Sequence, residues 1–277
     1  MDNEQQVEYW NGPPGERWAA LQDSIDRNLG HITQGFIPFV GAKPGQRVLD
    51  IGCGCGTTTL TFAQAVRPDG SIAGVDISRP MLAVARARAS AANAEISFIE
   101  ADASTHDFQP VFDLVVSRFG VMFFADPPAA FRNIRRALVP GGTLAFVCWR
   151  ALAENAWAAA PIAAARPLLP PQEPPDPYAP GPFAFAERER LDGILAAAGF
   201  RAIHIEKFDG HMEMGATPEA AAREALNIGP LARAAAELDD ATREKVRAVV
   251  ASTMAQFENS SGVFAPVACW FVRAKNL

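Results

Sequence analysis

The chain has 277 residues, 49% of them apolar, which is enough for one large α/β domain with a lid or for two small domains. Its 25 basic and 31 acidic side chains leave a net charge of −6, with no Lys/Arg cluster anywhere. That balance speaks against a nucleic-acid partner, whose phosphates select a basic face. The N-terminal run Met1-Asp2-Asn3-Glu4-Gln5-Gln6 is neither basic nor apolar, so no secretory signal is expected. No apolar run approaches the length that crosses a bilayer, and a cytoplasmic protein without a membrane partner is expected. The four cysteines lack C-x₂₋₄-C spacing: Cys53 and Cys55 are two apart, and Cys148 and Cys269 stand alone. No metal site is expected, and free thiols suit a reducing compartment.

In chain order, residues 16–28 carry Trp18, Leu21 and Ile25 on one helical face. Before them, Tyr9 and Trp10 precede the turn residues Asn11-Gly12-Pro13-Pro14-Gly15. Pro44-Gly45 turns the chain into a first strand, Val48-Leu49-Asp50-Ile51. Strands and helices then alternate. A helix over 57–66 stops at Pro68-Asp69-Gly70, and a strand covers 71–76. Ser78 as cap and Pro80 in the first turn open a helix reaching Ala92. Strands follow at 96–100 and 112–117. Asp126 caps a helix that begins at Pro127 and ends at Pro140-Gly141-Gly142, and a fifth strand covers 143–149. Near-continuous apolar strands in regular alternation with helices predict a parallel sheet covered on both faces.

Beyond Ala151 the regularity fails. Eight prolines between Pro167 and Pro182 predict an extended, semi-rigid stretch. A helix is expected over 187–198, a strand over 203–208, and a helix from Thr217-Pro218. A longer helix from Asp240 carries Val246, Val249, Val250, Thr253, Met254 and Phe257 on one stripe, and a last strand covers 263–274. No internal repeat is present.

The stretch Asp50-Ile51-Gly52-Cys53-Gly54-Cys55-Gly56 joins the first strand to the helix at Thr57. A strand ending in a glycine turn at a helix N-terminus lets a ligand approach bare backbone. Dinucleotide folds use G-x-G-x-x-G, which would need glycine where Thr57 stands. The acidic-x-G-x-G-x-G pattern instead resembles the first motif of class I S-adenosylmethionine-dependent methyltransferases, matching at every fixed position. The resemblance covers residues 46–150. The segment Phe112-Asp-Leu-Val-Val-Ser-Arg-Phe-Gly-Val121 is similar to the ubiquinone/menaquinone C-methyltransferase branch. That branch reads Ser-Phe-Gly here, and Arg118 interrupts the run.

The resemblance implies a Rossmann-like α/β fold with a mostly parallel seven-stranded sheet, whose last strand runs antiparallel after an insertion of helices. It divides the chain into a helical cap (1–45), a cofactor-binding core (46–150) and a Pro-rich, helical lid with the last two strands (151–277). The implied cofactor is S-adenosylmethionine, leaving as S-adenosylhomocysteine. Asp50, Gly52, Cys53, Gly54 and Gly56 would form the turn for its amino-acid end. Asp76, at the end of the second strand, would accept from both ribose hydroxyls; the alternative is an N-cap, for which Ser78 is better placed. Ile77 and Met81 would sandwich the adenine, or Met81 is plain core. Asp102 and Ala103 would meet the adenine amine, and Ser117 would close the fourth strand beside the ligand. The substrate pocket is placed on Tyr9, Trp10, Arg118, Phe119 and Trp149. For the aromatic pair two roles stay open: folding over bound ligands, or pinning a loose terminus.

The slot after the fourth strand lacks the [ND]-P-P-[YFW] motif of enzymes that methylate exocyclic amines of nucleic acids or glutamine. Asp126-Pro127-Pro128 starts a helix and is followed by Ala129. None of His31, His106, His204 and His211 has a partner that marks it as a base. The expected activity is methyl transfer to a small molecule. An NAD-type oxidoreductase is disfavoured by Thr57 and Asp102, and a non-catalytic cofactor-binding module is the third reading. Mobility-shift titrations should show no salt-sensitive affinity for tRNA or duplex DNA. Tight binding that fades as salt rises would count against a small-molecule acceptor.

Overall fold

The computed structural model describes residues 3–171 and 176–277. Part of the expected Pro-rich run, 172–175, lies outside the described residues. Four short helices precede the first strand: α1 (Glu4–Asn11), α2 (Pro13–Ala20), α3 (Gln22–Asn28) and α4 (Gly30–Val40). This corrects the single helix expected over 16–28 and the loop expected before it. Gly12 breaks the chain in an extended conformation, and Pro13 opens α2 where its missing N–H costs nothing. A Cβ on Gly15 would stand 1.8 Å from the Trp10 carbonyl oxygen, so α1 and α2 fold back on each other only with glycine there.

The expected alternation follows, with β1 (Arg47–Ile51), α5 (Thr57–Ala65), β2 (Ser71–Asp76), α6 (Arg79–Ala91), β3 (Ser97–Glu100), β4 (Phe112–Arg118), α7 (Pro127–Ala137) and β5 (Leu138–Trp149). Every residue of β1 after Arg47 is buried, as befits a central strand covered on both faces. The five strands lie in the order β3-β2-β1-β4-β5, all parallel. Two cap assignments resolve differently. Asp126 accepts from the Ala129 N–H at 3.0 Å, as a cap should. The Ser78 hydroxyl does not cap α6; it donates to the Trp10 carbonyl at 2.7 Å. Nor does Pro140-Gly141-Gly142 end α7. The helix stops at Ala137, and those residues sit in a register irregularity between the Phe112–Leu138 and Leu114–Thr143 pairs, where Gly141 takes φ 81°.

The rest of the chain comprises α8 (Ala156–Ala165), α9 (Arg188–Ala197), β6 (Arg201–Gly215), α10 (Pro218–Asn227), α11 (Pro230–Ala234), α12 (Asp240–Met254), β7 (Glu258–Asn259) and β8 (Gly262–Lys275). β8 runs antiparallel between β5 and β6, giving the path β3-β2-β1-β4-β5-β8-β6. β7 pairs with β8 as an added eighth strand. β6 is far longer than the expected 203–208, because it stays paired to β8 from Arg201 to Gly215. Its far half, from Asp209 to Gly215, pairs with the part of β8 that lies beyond the β5 pairing. No helix among the described residues is long and apolar enough to cross a membrane.

The α12 stripe is narrower than its periodicity suggests. Val246, Val250 and Met254 are fully buried, whereas Val249 is 37% exposed. Met254→Ala should cost about 2–5 kcal/mol in urea unfolding. Val249→Ala should cost less than about 0.5 kcal/mol.

Candidate functional site

The glycine turn is held from below by β2. The Gly52 and Cys53 N–H groups donate to the Val75 carbonyl at 2.8 and 3.1 Å. Gly52, Gly54 and Gly56 all have left-handed φ, at 65°, 54° and 82°, which side chains resist. Space is a second reason at Gly52, where a Cβ would lie 2.6 Å from the Gly120 Cα. Asp76 ends β2 with its carboxylate under the turn. Oδ2 accepts from the Gly54 N–H and Oδ1 from the Ser78 N–H, both at 2.8 Å. Burial raises its pKa, and those backbone donors oppose the rise. One bond per oxygen leaves each with a further acceptor position.

A cavity of about 210 Å³ opens at the carboxyl ends of the parallel strands, where open α/β sheets bind ligands. Its lining brings together Gly52, Cys53, Gly54, Asp76, Ile77, Met81, Asp102 and Ala103 with Trp10, Arg118, Phe119 and Trp149. Asp102 is fixed by the Ser104 N–H, which donates to Oδ1 at 2.8 Å. The Met81 Sδ lies near the turn, 3.7 Å from where a Gly54 Cβ would be.

Four expected site residues stand outside this lining. Asp50 is fully buried, and its Oδ2 accepts from the Thr58 and Thr59 hydroxyls at 2.8 and 2.7 Å. It ties β1 to the start of α5. Ser117 is equally buried; its hydroxyl donates to the Ile51 carbonyl at 2.7 Å and accepts from the Gly120 N–H at 3.1 Å. It therefore sets the spacing of β1 and β4. Gly56 packs against Ala85 and Phe98 at the first turn of α5. Tyr9 points away, its ring 5.1 Å from the Arg233 guanidinium.

Several lining and supporting groups had no signal in the sequence, because their partners are remote in the chain. Asp26 on α3 accepts from the Thr57 hydroxyl at 2.6 Å and pairs with Arg88 at 2.9 Å. Arg88 also donates to the Cys55 carbonyl at 3.0 Å, and Gln22 to the Thr57 hydroxyl at 3.0 Å. The cap is thus pinned onto the glycine turn. At the edge beside Asp76, Asn11 donates to the Ile77 carbonyl at 2.8 Å and accepts from the Arg79 N–H at 3.0 Å. Glu224, on α10, lines the cavity with its Oε1 accepting from Ser24 at 3.0 Å and Asn28 at 2.6 Å.

Much of the remaining lining is aromatic or apolar, with Gln6, Gln22, Asn28 and Thr58 among it. Phe119 stacks on Trp149 at 4.2 Å and 12°, and Trp149 meets Trp157 at 4.9 Å. Trp10 makes edge contacts with Trp18 and Phe123 at 5.8 and 5.3 Å. Phe119 holds φ 64°, a conformation that bulky residues adopt only when their surroundings enforce it. None of the four histidines lines the cavity. Burial pushes the Cys55 thiol up to about 12 and that of Cys53 well above its ordinary value, so neither is a ready nucleophile. Among the described residues no group of three or more His, Cys, Asp or Glu is placed to hold a metal.

Residues 48–142 match the model of a methyltransferase domain, and the strand path is the Rossmann-like order of class I methyltransferases. Over 111 residues the chain is 35% identical to phosphoethanolamine N-methyltransferase 1 of Triticum aestivum, covering 40% of this chain and 22% of that protein. It is 39% identical over 103 residues to demethylmenaquinone methyltransferase of Thermus thermophilus, covering 37% of this chain and 46% of that one. The match thus spans less than half of either relative. The crystal structure of Haemonchus contortus phosphoethanolamine N-methyltransferase 2, solved with phosphomonomethylethanolamine and S-adenosylhomocysteine, superposes with a TM-score of 0.55 at 22% identity. That superposition covers 89% of this chain and 52% of that chain. The class I methyltransferase resemblance read from the glycine motif holds.

Burial pushes the Asp50 carboxyl up to about 6 against the pull of the two threonine hydroxyls. A raised acid pKa stabilises the fold below the unfolded-state value, near 4, and that contribution is lost as pH rises through 6. Asp50→Asn should remove this component. Relative to the variant, wild-type stability should fall by on the order of 2–3 kcal/mol between pH 4 and pH 7, as measured by denaturant unfolding across that range.

Proposed function

We propose that the protein transfers a methyl group from S-adenosylmethionine to a small-molecule acceptor. The observation that carries this reading is the buried Asp76 carboxylate, held beneath a side-chain-free turn and still able to accept two hydrogen bonds. The residues fit the cofactor at each end. Gly52 and Gly54 leave backbone bare for an amino-acid moiety, Asp76 suits a ribose diol, and Ile77, Met81 and Asp102 suit an adenine face and its amine. When bound, the cofactor supplies an electrophilic methyl on a sulfonium.

The chain's own task is alignment and exclusion of water. In this reading residues 46–150 hold the cofactor, while the segments 1–45 and 151–277 enclose the acceptor. Phe119, Trp149, Trp157 and Phe123 give the acceptor end an apolar lining. A quinone-type ring, as in the Thermus relative's name, suits that lining better than phosphoethanolamine. Its phosphate would have one cavity arginine to face among Asp76, Asp102 and Glu224. Glu224, immobilised by Ser24 and Asn28, is the carboxylate on the lid side that could take a donor or a proton from the acceptor. A cytoplasmic location accords with four free, buried cysteines.

Calorimetry tests the reading. The wild type should bind S-adenosylmethionine and S-adenosylhomocysteine but not NAD. Charge-assisted hydrogen bonds are worth roughly 1.5–3 kcal/mol each. Asp76→Ala should therefore weaken both ligands by on the order of a hundredfold, and Asp102→Ala should weaken them while circular dichroism stays unchanged. Binding of NAD without S-adenosylmethionine would overturn the assignment.

A further inference from the structure

Glu224 lies outside the segment 48–142 that matches the methyltransferase domain, yet it lines the cavity. It stands on α10, where Ala221 one turn before it and Ala225 beside it are buried. Its Oε1 accepts from the Ser24 hydroxyl at 3.0 Å and from the Asn28 amide at 2.6 Å. Those two residues share one face of α3, a turn apart, so both donors converge on a single oxygen. The carboxylate is thereby held between lid and cap. Its Oε2 has no hydrogen-bond partner among the described residues.

No cation among the described residues pairs with this carboxylate. Arg118, the basic side chain of the lining, is engaged elsewhere, 3.8 Å from Asp26 and donating to the Thr33 hydroxyl at 2.9 Å. On α3, Gln22 and Asn28 direct amide N–H groups to Thr57 and to Glu224 itself. A carboxylate accepts hydrogen bonds and does not donate them. An anionic group on a molecule beside Glu224 would meet like charge, with Asp76 and Asp102 in the same lining. An O–H or N–H group would instead make a charge-assisted bond in a largely apolar space, where such bonds are strong.

We infer that Glu224 determines acceptor specificity, selecting a ring-bearing molecule that presents an O–H or N–H donor to the lid side of the cavity. The inference rests on the methyltransferase reading, in which a cofactor at the glycine turn leaves this side to the acceptor. A ring suits the aromatic lining of Phe119, Trp149 and Trp157. A hydroxyl and an ammonium are two sources of the same donor chemistry. Glu224→Gln isolates the free oxygen from the tethered one. Its amide oxygen must stay on Ser24 and Asn28, because turning the NH₂ toward them would set donor against donor. The bond between lid and cap then survives, while the free position changes from acceptor to donor.

Three probes on one ring system test this without turnover. With S-adenosylhomocysteine bound, 1-naphthol, 1-naphthylmethylamine and 1-methoxynaphthalene are titrated calorimetrically into wild type and Glu224→Gln. The first two carry a donor, and the third carries only an acceptor. Wild type should bind at least one donor probe roughly 10- to 100-fold tighter than the methoxy probe. In Glu224→Gln that advantage should shrink to within about threefold, with S-adenosylhomocysteine affinity changed by less than about threefold. The tighter donor probe tells whether a hydroxyl or an ammonium is read. Absence of the advantage in wild type, no binding of any probe, or an advantage that survives in Glu224→Gln overturns the inference. A uniform loss for all three probes makes Glu224 a structural tie between lid and cap, and overturns it as well. If Glu224→Gln fails to fold, Glu224→Ala is read by the same ratio. Wild-type failure to bind S-adenosylhomocysteine would instead refute the underlying assignment of the site.

Discussion

The carboxyl ends of β1 and β4 meet backbone to backbone, with no side chain between them. A Cβ at Gly52 would fall 2.6 Å from the Gly120 Cα, and one at Gly120 would fall 2.6 Å from the Ile51 carbonyl oxygen. The Ser117 hydroxyl fastens this contact from inside by bonding both chains. Because the strands close so tightly there, the segment after β4 must turn abruptly. Phe119 does so at positive φ and is kept there by its stack on Trp149 and its N–H bond to the Val147 carbonyl. The strained residue and the glycine after it follow from this one steric constraint, and together with Arg118 they form one wall of the cavity.

The cap is attached to the core by both polar and apolar contacts. Asp26, Thr57, Arg88 and Gln22 join α3 to the start of α5 and to α6, and Asn11 joins α1 to the start of α6. Half-buried ion pairs of this kind add little net stability, because desolvation offsets much of the attraction. Their value lies in orientation: they position Trp10, Trp18 and Ile25 over the cavity. The apolar contacts that α3 and α4 make through Ile25, Leu29, Ile32 and Phe36 supply the larger share of the binding of cap to core.

Charge is distributed unevenly around the cavity. Carboxylates stand where hydroxyls and amines of a ligand are expected, at Asp76 and Asp102, each partly satisfied by backbone N–H groups that hold it in place. The guanidinium stands beside the bare turn. Glu224 stands on the lid side, and much of the remaining lining is aromatic or apolar, which strengthens the electrostatic contacts within it.

The local signals in the sequence were enough for the parallel half of the molecule. Apolar runs, glycine and proline punctuation, and the Asp126 cap report interactions within a few residues, so β1, β2, α5 and the order of alternation follow from them. The glycine spacing marked the turn, and the family resemblance pointed to Asp76 and Asp102; all three line one cavity, because strand ends of a parallel sheet converge on one edge. Contacts that join distant segments left no such trace. The division of the N-terminal region into four helices depends on Gly15 packing against Trp10, and the length of β6 depends on its pairing with β8. Asp50 and Ser117 matched the motif but turn inward, since only the assembled sheet decides which face of a strand end meets solvent. Asp26 and Glu224 became part of the site through partners 31 and 200 residues away. Those distances are fixed by tertiary packing and by no periodicity of the chain.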